Sequence, residues 1–411
     1  MNVRERFLEV IDFNTSVVVP KWEFGYWGEL IDTWYEQGLP RHDYPQVPTR
    51  ITSPSMSMTN IAWHSLRSDR LPPATAVVGG GLYQANSFPV DSDVRSALGM
   101  DRGQVMVDIN TLFYPAFDFK VWEEDDERLV YTDLDGVRKL FVKDPGNYPS
   151  GLEYVIRDRK NWEQLKEERL RMDQIRERLG PDWPAQVAEY RRRDYPILLG
   201  GFPAGYFGTL AQLMGYENLF YAYYDDPAWI HDIQRTFTDM WLALYSEVLA
   251  ETTVDMYVIW EDFSAGFGPM ISPRIIREFM VPYYRRLTDF LKAHGVKAIF
   301  VDTDGYCFDV IPLLIEGGAT GLYPIEASCG MDLLRVRKTF PELQLMGGIP
   351  KFELAHGPQR IDQILEPVAE VLKTGGYIPF GDHLISPGVS WADFCYYREK
   401  LNWMCEHPQG R

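Results

Sequence analysis

A short apolar run that ends in an acid or a glycine, followed by an amphipathic helical pattern, recurs through the second half of the chain. The runs are YPILLGGFP (195–203), MYVIWEDF (256–263), VKAIFVDTDG (296–305), TGLYPIEA (320–327), LQLMGGIP (343–350) and YIPFGDHL (377–384). Each is rich in Val, Ile, Leu and aromatic residues, the near-continuous pattern of a strand covered on both faces. The segments between them, such as SPRIIREFMVPYYRRLTDFLKAHG and CFDVIPLLIEGG, carry helical periodicity, and the second closes on a Gly-Gly stop. Strand alternating with helix predicts a parallel sheet. Two earlier runs, VVVPKWEF (17–24) and QVMVDINTLF (104–113), bring the count to eight. The expected fold is therefore an α/β protein, a (β/α)8 TIM barrel. An open doubly wound sheet would call for a GxGxxG after an early strand, and none is present.

The 411 residues read as one barrel domain, 1–411, with an insertion after the second strand over approximately 114–194. Within the insertion, VWEEDDERLVYTDLDGVRKLFV (121–142) predicts a meander turning at Asp135-Gly136. RDRKNWEQLKEERLRMDQIRERLG follows as a highly charged helix with a solvated face.

A parallel barrel assembles its active site at the C-terminal strand ends. The polar residues there are Glu23, Asp108, Glu261, Asp262, Asp302, Asp304, Glu326, Asp382 and His383, with Cys329 on the same loop as Glu326. Convergent carboxylates in a partly dry site each cost on the order of several kcal/mol unless compensated. A cation, protons or arginine partners can compensate them. Arg and Lys are scarce at these ends, with Lys21 and Lys351 the nearest in sequence. A divalent metal is then the expected solution, with ligands from Asp302, Asp304, Glu326, Cys329 and His383; mixed O, N and S donors suit zinc. Each candidate also has a structural role open to it. One acid of the Asp302-x-Asp304 pair could cap a helix, Glu326 could bind a loop backbone, Cys329 could be an inert thiol and His383 a hydrogen-bonded packing residue. Asp262 could cap the next loop. Asp108, Glu261 and Asp262 are the candidate catalytic acids. Trp22, Trp27, Tyr83, Phe113, Tyr206 and Phe263 are candidates to line an apolar substrate pocket. His64 and His231 receive no role.

The formal charge of −18 disfavours nucleic acid and anionic membranes as partners. No run of apolar residues is long enough to span a bilayer. The opening MNVRERFLEVIDF reads as an amphipathic charged helix without a signal-peptide core. Four cysteines without a CxxC pair fit a reduced, cytoplasmic setting.

The stretch EDFSAGFGPMISPRIIREFMVPYYRRLTDFLKAHGVKAIFVDTDG resembles the middle of the uroporphyrinogen decarboxylase superfamily. So do GGATGLYPIEASCGMDLLRVRKTFP, LMGGIPKFEL and GYIPFGDHLISPGVSW, in order and spacing, over roughly residues 195 to 400. The resemblance implies a (β/α)8 barrel with one of two chemistries: metal-free decarboxylation of uroporphyrinogen, or zinc-assisted methyl transfer to or from a corrinoid. True decarboxylases of this type carry two N-terminal arginines for substrate carboxylates. The matching KWEFGYWGELIDTWYEQG has none, and an arginine-poor acidic mouth is poorly suited to an octacarboxylate tetrapyrrole. Corrinoid-linked members commonly place H-x-C at the sixth strand end; here VDTDG puts Asp302 and Asp304 there, and Asp382-His383 stands at the later thiol position.

The expected function is thus transfer of a methyl group from a small donor, such as a methyl ether, to a separate corrinoid protein, with Zn2+ as Lewis acid. The corrinoid-domain signature D-x-H-x-x-G is absent, so the cobalamin would arrive on a partner. The resemblance also implies a homodimer. The alternatives are a metal-free decarboxylase of a smaller acid using Asp108 and His383 for proton transfer, and a non-catalytic barrel subunit.

Overall fold

The computed structural model describes residues 1–26, 28–41, 90–142 and 149–410. Its strands, in chain order, are β1 (Val105–Met106), β2 (Lys120–Glu124), β3 (Arg128–Thr132), β4 (Arg138–Val142) and β5 (Ser150–Glu153). Then follow β6 (Ile197–Gly200), β7 (Met256–Trp260), β8 (Ser264–Ala265), β9 (Gly268–Pro269), β10 (Ala298–Asp302), β11 (Gly321–Ile325), β12 (Gln344–Gly347) and β13 (Tyr377–Ile378). Seven of them form one curled parallel sheet in the order β1-β6-β7-β10-β11-β12-β13. β6, β11 and β12 are buried at every residue, which is why their sequences read as unbroken apolar runs. The register sets Asp302 level with Trp260 on one side and Tyr323 on the other, so neighbouring strands deliver their last residues to a common rim.

The eighth position of the barrel is filled differently from the sequence expectation. The run 17–24 forms no regular ladder among the described residues; Pro20 lacks a backbone donor and removes one ladder bond there. The segment is instead fastened at single points to both sheet edges. The Val19 amide donates to the Cys405 carbonyl, the Asp101 amide to Lys21, and the Ile385 amide to Gly25, beside a parallel bridge from Tyr26 to Ile385. β13 is short for a related reason, since Pro379 follows it.

The insertion contains an antiparallel sheet in the order β2-β3-β4-β5. Gly136 turns the β3–β4 hairpin at φ +82°, and a Cβ there would stand 2.7 Å from the Phe117 ring. Lys139 is buried between Asp133 (2.7 Å) and Asp135 (2.8 Å), and Gln212 of helix Gly208–Met214 donates to Asp135, tying the hairpin to the barrel. The charged run after it does not stay wholly in solvent, contrary to the sequence reading. Its helix ends at Arg169, and Arg178 turns inward. The Arg178 guanidinium donates to the carbonyls of Asn110, Leu112 and Arg169, and burial lowers its pKa to about 10. A cation satisfied by carbonyls has no hydrophobic signature, which explains why pattern alone misplaces it.

Downstream of β7, the helix expected over SPRIIREFMVPYYRRLTDFLKAHG forms with a π-helical turn at Ile276–Met280 before Val281–Ala293. Pro282 supplies no amide and crowds the preceding turn, so the ladder widens there. No described helix is long and apolar enough to cross a membrane.

Candidate active site at the C-terminal rim

Three of the strand-end acids are committed to holding the barrel together. Glu23 is fully buried; its carboxylate accepts from the Gly381 amide (2.6 Å), the Tyr397 hydroxyl (3.0 Å) and the Arg398 guanidinium (3.2 Å). Burial pushes its pKa up, against the pull of Arg398. Asp382 accepts from the amides of Ser328 (2.7 Å) and Lys351 (2.9 Å), locking the loops after β11 and β12 together. Glu261 receives the amides of Tyr206, Phe207 and Gly208 at the start of helix Gly208–Met214, and the hydroxyl of Tyr284 at 2.7 Å. That is a carboxylate at a helix N-terminus, where unpaired amides and the helix dipole favour it. Burial still raises its pKa to about 7. Glu261→Leu will strand four buried donors and cost on the order of 3–5 kcal/mol of stability, measured as a fall in the urea midpoint; an unchanged midpoint would mean the clamp carries no weight.

The remaining acids form an electrostatic cluster. Asp262 follows β7 at φ +46°, a left-handed conformation that Asp tolerates better than most residues. The amides of Glu261 and Asp262 both donate to the Asp302 carbonyl, which curls the chain into this shape. Burial raises the Asp262 pKa to about 7, with Asp304 adding to the rise and His383 opposing it. Asp302, at the end of β10, is raised well above the carboxylate range by burial, then by Asp304, Asp262 and Glu261, while Tyr323 donates to it at 3.1 Å. Asp304 behaves oppositely. Burial would raise it, but the charge and hydrogen bond of His383 outweigh that and lower it. His383 lies 3.4 Å from Asp304 through Nε2. Burial would depress the imidazole, yet Asp304 overcomes this and raises it. The rim therefore holds an imidazolium–carboxylate pair beside two carboxyl groups that favour their neutral form.

A second ion pair flanks the first. Glu326 accepts from Lys351 Nζ (2.9 Å) and the Gly305 amide (2.6 Å), and all three are buried. Cys329 lies beside Glu326; burial and that carboxylate push its thiol up to about 11.

The structure thus brings Asp262, Asp302, Asp304, Glu326, Cys329 and His383 to one rim, and Glu261 to the helix start behind it. Asp108 is elsewhere, beside Tyr190 of helix Trp183–Tyr190, whose phenol its charge helps to raise. The aromatic candidates are enclosed. Trp22 packs on Phe7 at 5.5 Å and donates to the Arg102 carbonyl. Tyr206 is stacked among Trp241, Tyr283 and Tyr284 with its hydroxyl on the Tyr283 carbonyl. Phe113 packs on Phe117 and Phe237, and Phe263 on Phe207. Trp27, Tyr83 and His64 lie outside the described residues. The ring that does meet the site is Phe24, stacked on His383 at 4.7 Å and 6.3 Å from Tyr323. Phe24 and Tyr323 were not singled out in the sequence, and Lys351 was noted only as a nearby cation without a partner assigned to it.

Zinc fits this arrangement poorly. Among the described residues no group of three or more His, Cys, Asp or Glu side chains is placed to hold a metal ion. Two of the donors are already engaged elsewhere: Glu326 with Lys351 and Asp304 with His383.

A parallel barrel with its acid–base groups gathered at the C-terminal rim is the architecture of barrel enzymes that work at their strand ends. The chain belongs to the uroporphyrinogen decarboxylase (URO-D) family, whose model matches residues 145–394. No curated protein matches its sequence. Among solved structures it is similar in fold to a methyltransferase from Methanosarcina mazei, at 13% identity and a TM-score of 0.56, covering 98% of this chain and 99% of that one.

Proposed function

We propose that the protein is a methyltransferase that moves a methyl group from a small methylated donor to a corrinoid carried by a separate protein. The observation that carries the reading is the charge of the rim. Asp262, Asp302, Asp304 and Glu326 face two cations, His383 and Lys351, each already paired. With Asp262 and Asp302 favouring the neutral form, the two ion pairs cancel and leave no free cation for the carboxylates of a polyanionic tetrapyrrole, whereas a small neutral donor needs none. The whole-length fold similarity to a methyltransferase supports the same choice.

The partner's reduced corrinoid would supply the methyl acceptor. The chain's own part is to make the donor's heteroatom a better leaving group. When the methyl–heteroatom bond breaks, its electron pair stays on the heteroatom, and a proton there neutralises the developing charge. Asp262, raised to about 7, and Asp302, raised well above its ordinary range, would supply such a proton. The His383–Asp304 pair fixes the charge beside them, and Phe24 holds the imidazole by stacking. Zinc on Asp302, Asp304, Glu326, Cys329 and His383 is the second reading. It would require Lys351 to release Glu326 and His383 to release Asp304.

The test is a donor panel, methyl ethers first, with reduced corrinoid, following the cobalt absorbance on methylation. Release of CO2 from a small acid without any such change would instead establish a decarboxylase; neither activity would leave a barrel without catalysis. Exhaustive treatment with a zinc chelator is expected to leave transfer within about twofold, since the proposed acid is a carboxyl group. A loss restored only by Zn2+ would overturn the proton-donor reading and return the metal set.

A further inference from the structure

Beyond Phe24, a second aromatic side chain stands at the level of the acids. The residue paired with Asp302 on the neighbouring strand is Trp260, the last of β7. Side chains alternate along a strand, so its direction follows from its neighbours. Tyr257 reaches outward to Tyr245 of helix Pro227–Glu251, and Glu261 outward to the start of helix Gly208–Met214. Trp260 has the opposite parity to both and faces the barrel interior, as Asp302 does beside it. Neighbouring strands run about 4.8 Å apart, so the indole starts next to the Asp302 carboxyl.

The ring is held in place without being used up. Phe202, just past β6, meets it edge-on, with ring centroids 4.7 Å apart and planes at 75°. Gly208 leaves it room on another side, since a Cβ there would stand 2.5 Å from the ring. Phe202 and Trp260 are nevertheless only partly buried, as are Asp262 and Asp302. The indole N–H sets Trp260 apart from the enclosed tryptophans. Trp22, Trp34, Trp162, Trp183 and Trp241 each donate to a fixed acceptor. The Trp260 N–H donates to nothing among the described residues, and it is not sealed from solvent. A fixed aromatic surface and an unspent donor therefore border the mouth beside the acids, and neither has a structural partner to account for it.

We propose that Trp260 determines donor specificity: with Phe202 beside it, its indole seats a flat, apolar group bearing the methylated oxygen, and its N–H serves an acceptor on the bound molecule. The proposal rests on the rim being the donor site. Contact between flat aromatic rings contributes beyond the area it buries, and a puckered ring of the same size cannot gain it.

The experiment is calorimetric titration of the full chain with anisole and, separately, with methoxycyclohexane, which carries the same methoxy group on a puckered ring. Anisole should bind at least about threefold more tightly. Trp260→Leu should weaken anisole binding about tenfold and erase the preference. Trp260→Phe keeps a flat ring without the N–H, so it should retain the preference at lower affinity; it carries the test if the leucine variant does not fold. The proposal is overturned by any of three results: no saturable binding of anisole, equal binding of the two ethers by the wild type, or a preference that survives in Trp260→Leu or is lost in a folded Trp260→Phe. No corrinoid enters the titration. The expected binding pattern without methyl transfer would leave the pocket standing and sink the reaction, whereas transfer indifferent to Trp260 would do the reverse.

Discussion

Arg398→Met will be among the most destabilising single changes in the molecule, costing roughly 3–5 kcal/mol, because it leaves a buried carboxylate without its cation. Arg398 is fully buried and comes from the C-terminal helix Trp391–Glu406 to meet Glu23, the Trp22 carbonyl and Asn402. Glu23 in turn holds the Gly381 amide, so one ion pair joins the irregular eighth stave, the loop after β13 and the last helix. The barrel closes at this point with single contacts instead of a ladder, so few other bonds are there to compensate. The loss will depend on pH in a defined direction. The Glu23 pKa is raised in the fold, so the folded state binds the proton more tightly than the unfolded chain, and this group's contribution falls as pH rises through its folded value. Without Arg398 the rise is larger. The deficit of the variant should therefore shrink between pH 8 and pH 5, as Glu23 becomes neutral. Urea midpoints at the two pH values decide it; a deficit that is equal at both, or greater in acid, would show that lost packing and not charge sets the cost. Combining it with Glu23→Leu should recover part of the stability, since an apolar pair removes the stranded charge.

This closure also marks where the sequence stopped being legible. The seven strands of the sheet were readable because burial on both faces leaves an apolar run, as in GLYPI, Gly321–Ile325. The run 17–24 has a similar composition, but in place of a ladder it has a set of single contacts with residues 80 positions away or at the far end of the chain. The same distinction divides the acids. Asp262, Asp302, Asp304, Glu326 and His383 could be placed at one rim from strand ends alone, because the barrel topology brings those ends together. Whether an acid at that rim is free for chemistry was not readable. Glu23, Glu261 and Asp382 look the same in sequence, yet each is filled by donors that arrive from elsewhere: an arginine 375 residues on, a helix start 53 residues back, and two loop amides. The pairing of Lys351 with Glu326 was not readable for the same reason. A lysine one residue past Pro350 reads as a loop cation, and only the fold turns it inward onto Glu326. Likewise Trp22, expected in the pocket, is enclosed against Phe7, and Phe24 takes the place against His383.

If methyl transfer uses a proton from Asp262, then Asp262→Asn will lower kcat by about 10²–10⁴, the usual weight of a general acid, while leaving the fold intact. Asn keeps the size and the capacity to sit at positive φ, so the φ of +46° gives no reason for the variant to unfold. What it loses is the transferable proton. The sign of the pH dependence follows from the raised pKa. With a value near 7, Asp262 is protonated below that pH and ionised above it. Wild-type transfer should then hold level in mild acid and decline as pH rises through about 7, and the decline should vanish in Asp262→Asn, leaving a low, flat profile. Removing a neighbour shifts the limb in a direction the charges dictate. Asp304 contributes to raising Asp262, whereas His383 lowers it. Asp304→Asn removes the repulsion but also frees the imidazolium from its partner, so His383 loses the interaction that keeps it charged. His383→Gln removes the stabilising cation, and the wild-type limb should move to higher pH. A profile that rises with pH, or an Asp262→Asn enzyme that keeps both its rate and its limb, would place the essential proton on another group and reduce Asp262 to a shaping role at the end of its strand.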